Sequence, residues 1–190
     1  VGECFQELEM RGEEVAIEGV GVFRPEAHRD ERGELTEVFR VDWLGEDGRP
    51  PMQANLSVSR KGVLRGLHYH RMQSDYWVVV CGRLRAGLAD LRRGSPTEGA
   101  GMCVDLSDRR PSGLYIPPGV AHGYYALTDV SLVYLVDELY TGRDEQGVAW
   151  DDPELGLDWC IGRAPVLSTR DESNPRWAQL ADGERPVFEK

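Results

Sequence analysis

The sequence predicts an all-β protein, a sandwich or barrel of many short strands. Three observations carry the prediction. Ten apolar or alternating runs of three to eight residues follow one another between Val15 and Val136. Between them, 22 glycines and 11 prolines supply turn signals throughout. Helical periodicity is weak everywhere, so the short runs have no strong helical competitor.

In order, the expected strands are Val15–Val22, Leu35–Arg40, Gln53–Ser59, Val63–His70, Tyr76–Cys81, Leu84–Asp90, Met102–Leu106, Leu114–Ile116, Gly123–Leu127 and Leu132–Val136. Gly82 separates Tyr76–Cys81 from Leu84–Asp90, and Pro117, Pro118 and Gly119 make a turn after Leu114–Ile116. Asp151–Pro165 reads as loop, with Pro153, Gly156, Gly162 and Pro165, and Asn174–Leu180 as a short turn of helix. The last fifth of the chain is expected to wrap over the barrel. No internal repeat or low-complexity segment is evident.

A chain of 190 residues is the length of one domain, taken as 1–190, and can bury a core without disulfides. Acids outnumber bases 33 to 22, a net charge of −11, which disfavours nucleic acid as a partner because that affinity comes mostly from Lys and Arg on phosphates. A small anionic ligand stays compatible, since a local group of arginines outweighs a distant acidic surface. The acidic stretch Val1–Glu14, with Glu3, Glu7, Glu9, Glu13 and Glu14, is not expected to be a signal peptide, and no apolar run approaches the roughly 18 residues of a membrane span. Cys4, Cys81, Cys103 and Cys160 form no CxxC pair and read as reduced thiols. A cytoplasmic protein without a membrane partner is expected.

The chemistry concentrates in Gly62–Gly82 and Gly113–Ala126. His68 and His70 are two apart on an expected strand, so their side chains share a face. Asp75 follows, and His122 stands just beyond the Pro-Pro-Gly turn. In this spacing the sequence resembles the cupin superfamily: Gly62, His68, His70, Asp75 and Gly82 fit its first motif, with Asp where Glu is usual, and Pro117, Gly119 and His122 fit its second. Three imidazoles and a carboxylate suit a divalent metal such as Zn, Fe, Ni or Mn.

A closer resemblance runs from Asp30 to Asp171. Asp30-Glu-Arg-Gly33 with Glu37 and Phe39, Gln53-Ala-Asn55-Leu-Ser57, Gly62-Val-Leu-Arg-Gly-Leu-His68, Ser95-Pro-Thr97, Ile116-Pro-Pro-Gly-Val-Ala-His-Gly123, Trp150-Asp-Asp-Pro153 and Leu167-Ser-Thr-Arg-Asp171 occur in the order of the dTDP-4-dehydrorhamnose 3,5-epimerase family. The resemblance implies a cupin-type double-stranded jelly roll with an N-terminal arm and a C-terminal wrapping segment. It also implies a homodimer, no cofactor, and epimerisation of a dTDP-linked 4-keto-6-deoxy hexose at C3 or C5, or both, in deoxysugar biosynthesis.

By this resemblance His68 is the base that removes the proton alpha to the ketone, Asp171 orients it, and Tyr134 is the acid on the other face. Arg65 matches an arginine near the substrate's phosphates; Arg32, Glu37, Gln53 and Asn55 match the nucleotide-binding stretch; His122 and Tyr140 match pocket residues. Because the partner chain contributes to the pocket, Arg32 serves either its own site or the other subunit's.

The sequence departs from the family's pattern in three places. His70 replaces a Gln or Ala, the loop after it is a few residues shorter, and Asp75 stands where a lysine near the ketone is usual. The last change puts an anion where an enolate develops. A divalent metal on His68, His70, Asp75 and His122 would restore positive charge, but binding it would occupy the lone pair that a base at His68 needs. Two other readings therefore stand beside the epimerase: a metal-dependent cupin enzyme (a dioxygenase or isomerase), and a non-catalytic nucleotide-sugar binding protein. The residues also have plainer roles: Asp75 paired with an arginine, Asp171 capping a turn, His122 hydrogen-bonded within the barrel, Tyr134 as core, Arg32 paired with Glu37 across strands, and Arg92-Arg93 in a solvated loop.

Overall fold

A computed structural model describes residues 16–45 and 48–189. Val15, Cys4 and the acidic residues of Val1–Glu14 lie outside them, so the expected N-terminal arm is described only from residue 16.

Alternation builds the strands, and the strands build two sheets. One sheet has the order β1 (Gly21–Phe23), β9 (Gly113–Ile116), β6 (Asp75–Cys81), β11 (Val130–Val136) and β4 (Gln53–Ser59). The other has the order β12 (Gln146–Gly147), β5 (Leu64–Tyr69), β10 (Val120–Ala126), β7 (Arg83–Asp90) and β8 (Gly101–Ser107). A separate hairpin pairs β2 (Ala27–Asp30) with β3 (Gly33–Thr36). All pairings between these strands are antiparallel. The two facing sheets form the jelly roll.

The core lies between the sheets. Trp77 and Val79 of β6, Leu114 and Ile116 of β9 and Leu132 of β11 meet Leu84, Ala86 and Leu88 of β7, Val104 and Leu106 of β8 and Tyr124 of β10. Burying each such Leu or Val side chain contributes roughly 1.5–3 kcal/mol. The second sheet is buried on its outer face as well. Leu64, Leu67, Ala89, Ala121 and Tyr125 pack there against Val148, Leu155 and Trp159 of the C-terminal segment, as the expected wrapping requires. Trp159 lies so close to β7 that a Cβ at Gly87 would fall 2.5 Å from its ring.

Eight of the ten expected strands form within a few residues of their expected bounds. The first does not. Gly19, at φ +77°, turns the chain, and the Val20 amide donates to Ile17 O at 3.2 Å, so the strand starts only at Gly21. Ile17 and Val20 enter the core from this turn. Leu35–Arg40 is strand only through Thr36; beyond it Phe39 stacks edge-on against Tyr76 at 4.9 Å and Val38 O accepts from the Tyr76 hydroxyl. Only Trp177–Gln179 of Asn174–Leu180 is helical, as a 3-10 turn. β2, β12 and the helical turn α1 (Thr169–Glu172) had no clear sequence signal. Arg92 is buried rather than solvated: Asp90 accepts from its Nε at 2.8 Å and Glu18 O from its Nη2 at 2.7 Å.

Candidate active site

A cavity of about 350 Å³ opens between the sheets and takes its lining from both. β4 explains its polarity. Gln53, Asn55 and Ser57 alternate inward while Ala54, Leu56 and Val58 are exposed, so this edge strand turns its polar face to the interior. Gln53 Nε2 donates to Asn55 Oδ1 at 2.8 Å, and the Tyr140 amide donates to Gln53 Oε1 at 3.1 Å, which holds exposed Tyr140 at the rim.

On the opposite sheet a β-bulge sets which side chains face in. His122 pairs with His68 but Tyr124 pairs with Arg65, so two steps along β10 match three along β5. Positions 65 and 68 differ by an odd number and would point to opposite faces of a regular strand. The extra residue restores their parity, and both line the cavity. Gly66 and Gly123 make the bulge possible. A Cβ at Gly66 would meet Gly123 Cα at 2.7 Å, and one at Gly123 would meet Arg65 O at 2.5 Å. Arg65 is then steadied by its Nε donating to Ser59 Oγ at 2.9 Å.

His68 has a carboxylate at each ring nitrogen. Asp171 Oδ1 lies 2.7 Å from Nε2 and Glu145 Oε1 lies 3.5 Å from Nδ1. Two backbone devices bring them there. Residues 62–64 bridge to Val166, with the Leu64 amide donating to Val166 O at 3.0 Å, and α1 follows with Ser168 capping the Asp171 amide. β12 pairs with the end of β5, Gly147 opposite His68, which sets Glu145 beside the ring. Burial alone would raise the Asp171 carboxyl, but the hydrogen bond and charge of His68 and the Gly66 amide hold it below the usual carboxylate range. Glu145 is likewise raised by burial and held low by Arg170, 2.8 Å away, and by His68. Two carboxylates that favour their ionised form thus flank one imidazole.

Tyr134 comes from the facing sheet, where β11 runs between Asn55 of β4 and Trp77 of β6. Burial, and then the nearby Asp75 and Glu145 charges, push its hydroxyl up, so it stays protonated at neutral pH and can donate.

Of the four expected metal-ligating residues, the fold brings three together. The donor atoms of His70, Asp75 and His122 lie within 4.8 Å of one another, while His68 stands outside this group, engaged by Asp171. Among the described residues Asp75 pairs with no arginine; it accepts from Gln73 Nε2 at 2.8 Å and Trp77 Nε1 at 3.0 Å. Nor do Arg32 and Glu37 reach this cavity. Arg32, at the tip of the β2–β3 hairpin, bonds Asp30 from Nε at 3.0 Å, and Glu37 pairs with Arg40 at 3.5 Å, so these two are not partners of each other. Glu145, Trp77 and Tyr124 also line the site, and no motif in the sequence marks them for it. Nothing local marks Glu145, 77 positions after His68, because only the β12–β5 pairing brings the two together.

The sequence profile described as dTDP-4-dehydrorhamnose 3,5-epimerase matches residues 14–179. A dTDP-4-dehydrorhamnose 3,5-epimerase of Neisseria gonorrhoeae is 38% identical over 171 residues, 87% of this chain, which spans 52% of that relative's length. A dTDP-4-dehydrorhamnose 3-epimerase of Streptomyces niveus is 39% identical over 180 residues, covering 91% of this chain and 86% of its own. The solved rmlC epimerase of Mycobacterium tuberculosis superposes with a TM-score of 0.87 at 34% identity, covering 92% of each chain. With this fold, this cavity and these relatives, the chain belongs to the dTDP-4-dehydrorhamnose 3,5-epimerase family.

Proposed function

We propose that the chain epimerises a dTDP-linked 4-keto-6-deoxy hexose next to its ketone, with His68 as base and Tyr134 as acid. The observation that carries the reading is the imidazole of His68, flanked by two carboxylates and facing a cavity to which the other sheet contributes a protonated tyrosine. Asp171 is an acceptor only, so the ring's Nε2 carries the proton donated to it and Nδ1 keeps the lone pair. Nδ1 takes the proton from carbon, and the C–H electron pair becomes the enolate. The Tyr134 hydroxyl returns a proton to that carbon from the opposite sheet, and the centre inverts. The oxidation level does not change, so the reaction needs no redox cofactor. Asp171 and Glu145 stabilise the imidazolium while it lasts, and Arg65, Gln53, Asn55, His122 and Tyr140 surround the bound nucleotide sugar.

The chain acts as one domain, and we place it in a homodimer. The exposed outer row of β4, with Leu56 at 65% and Val58 at 64%, lies on an unpaired sheet edge, as does exposed Leu35 on the hairpin that carries Arg32. Arg32 then serves the partner's site. No helix among the described residues is long and apolar enough to cross a membrane.

The test is exchange. The protein is incubated with dTDP-4-keto-6-deoxyglucose in deuterium oxide. Deuterium entering at C3, or at C3 and C5, is the expected result and also fixes how many centres invert. Tight binding with no deuterium at either carbon overturns the catalytic reading.

A further inference from the structure

The cavity holds a buried carboxylate that no basic side chain answers. Asp75 is 4% exposed, and among the described residues no lysine or arginine pairs with it. Gln73 Nε2 and Trp77 Nε1 donate to its two oxygens. They use two of about four lone pairs and cancel none of the charge. A buried charge without a counter-charge is costly.

The groups beside it add lone pairs rather than positive charge. His70 and His122 are buried too. His122 Nδ1 lies 2.9 Å from Val120 O, and His70 Nδ1 lies 3.2 Å from Asp144 O. A carbonyl oxygen only accepts, so Nδ1 carries the proton in both rings and Nε2 is left as the acceptor. His122 Nε2 stands 3.9 Å from Asp75 Oδ2, too far for a proton to be shared between them. One ring nitrogen of each imidazole and one Asp75 oxygen all lie within 4.8 Å of one another.

Three acceptors around one negative charge call for a cation with three donors. An alkylammonium group has three N–H bonds and no lone pair. Acceptors that share one such group at about 2.9 Å stand about 4.7 Å apart, because its N–H bonds diverge tetrahedrally. The observed grouping needs little adjustment to receive it. A hydroxyl in the same place brings one donor and leaves two acceptors facing its oxygen.

We propose that the hexose taken by this site carries a protonated amino group, bound by Asp75 and by the Nε2 atoms of His70 and His122. The proposal rests on the epimerase reading and narrows its substrate. In a 4-keto-6-deoxy hexose the carbons beside the ketone are C3 and C5. C5 already holds C6 and the ring oxygen, so C3 is where an amino group can stand next to the ketone. There its positive charge offsets Asp75 and stabilises the enolate. The substrate brings the cation that the chain lacks at position 75.

Two unreactive ligands without the ketone test the recognition by calorimetry. Wild-type protein should bind dTDP-3-amino-3,6-dideoxyglucose at least tenfold more tightly than dTDP-6-deoxyglucose. Asp75→Asn should bring the two affinities within about threefold, whereas Glu145→Gln, which removes a different carboxylate of the cavity, should keep the preference. Equal affinities in the wild type, or a preference that survives Asp75→Asn, overturn the proposal. Should Asp75→Asn fail to fold, the wild-type comparison with Glu145→Gln still decides: no preference in the first, or its loss in the second, overturns the assignment. Deuterium entry at C5 of the corresponding 4-keto sugars separates the two ideas. A preference for the amine with no exchange on either sugar sinks the epimerase reading alone. Exchange with no preference for the amine sinks the amino-sugar assignment alone.

Discussion

His68, on β5, and His70, one residue past its end, both line the cavity and end in different surroundings. His68 is open to the cavity at 22% side-chain exposure and has an anion at each nitrogen. His70 is buried, with Nδ1 3.2 Å from Asp144 O and its ring 5.6 Å from that of His122. The first ring sits between two anions; the second is set by a backbone carbonyl and lies beside another imidazole. The difference teaches that the neighbours assign a histidine's task, since both rings line one cavity.

Exchanging the features that distinguish these two rings tests the comparison, and the largest effect should come at His68. Replacing it with Ala removes the base, and deuterium entry should fall by about 10³-fold or more. Exchange at near wild-type rate would remove His68 from the reaction. Asp171→Asn keeps the shape but loses the anion that fixes the tautomer; a loss of about 10²–10³-fold in kcat with little change in KM is expected.

The bulge beneath both rings can be broken directly. Gly123→Ala drives a Cβ into Arg65 O, and thermal or urea unfolding should show a loss of about 1–3 kcal/mol. A variant as stable as wild type would mean that the strands separate at no cost. Glu145→Gln should have the smallest kinetic effect, about tenfold in kcat with KM little changed, because it removes one of the two anions beside the imidazolium that forms during the reaction. A wild-type kcat would make Glu145 merely structural.

Acid stability sharpens the contrast further. Asp171 and Glu145 both ionise more readily folded than unfolded, so their contribution is fully present above the ordinary carboxylate range of about pH 4. It is lost as pH falls through their lower folded values. Asp171→Asn should flatten that acid decline, as a pH series of urea midpoints would show.

Much of the fold was legible because alternation and turn residues are local signals. β4 through β11 sit close to the runs that announce them, and the motif residues Arg65, His68, His70, Asp75 and His122 do meet in one cavity. The misses share a cause. Ile17 and Val20 look like strand because they are apolar, yet they reach the core from a turn. Two-residue β12 and four-residue α1 are too short to carry a pattern, and each exists because it docks on β5. Arg32 and Glu37 match a nucleotide-binding stretch, yet one chain alone does not bring them to its cavity.

The sequence by itself determined the strands, the family and the set of reactive side chains, because period and residue type are written along the chain. Only the tertiary structure decided which of those side chains work together. One extra residue on β5 reverses the parity that spacing alone would impose, and Asp171 and Glu145 arrive from segments far along the chain. Spacing fixes direction only within an unbroken strand, whereas the partners of a side chain depend on packing between strands, which no local pattern records.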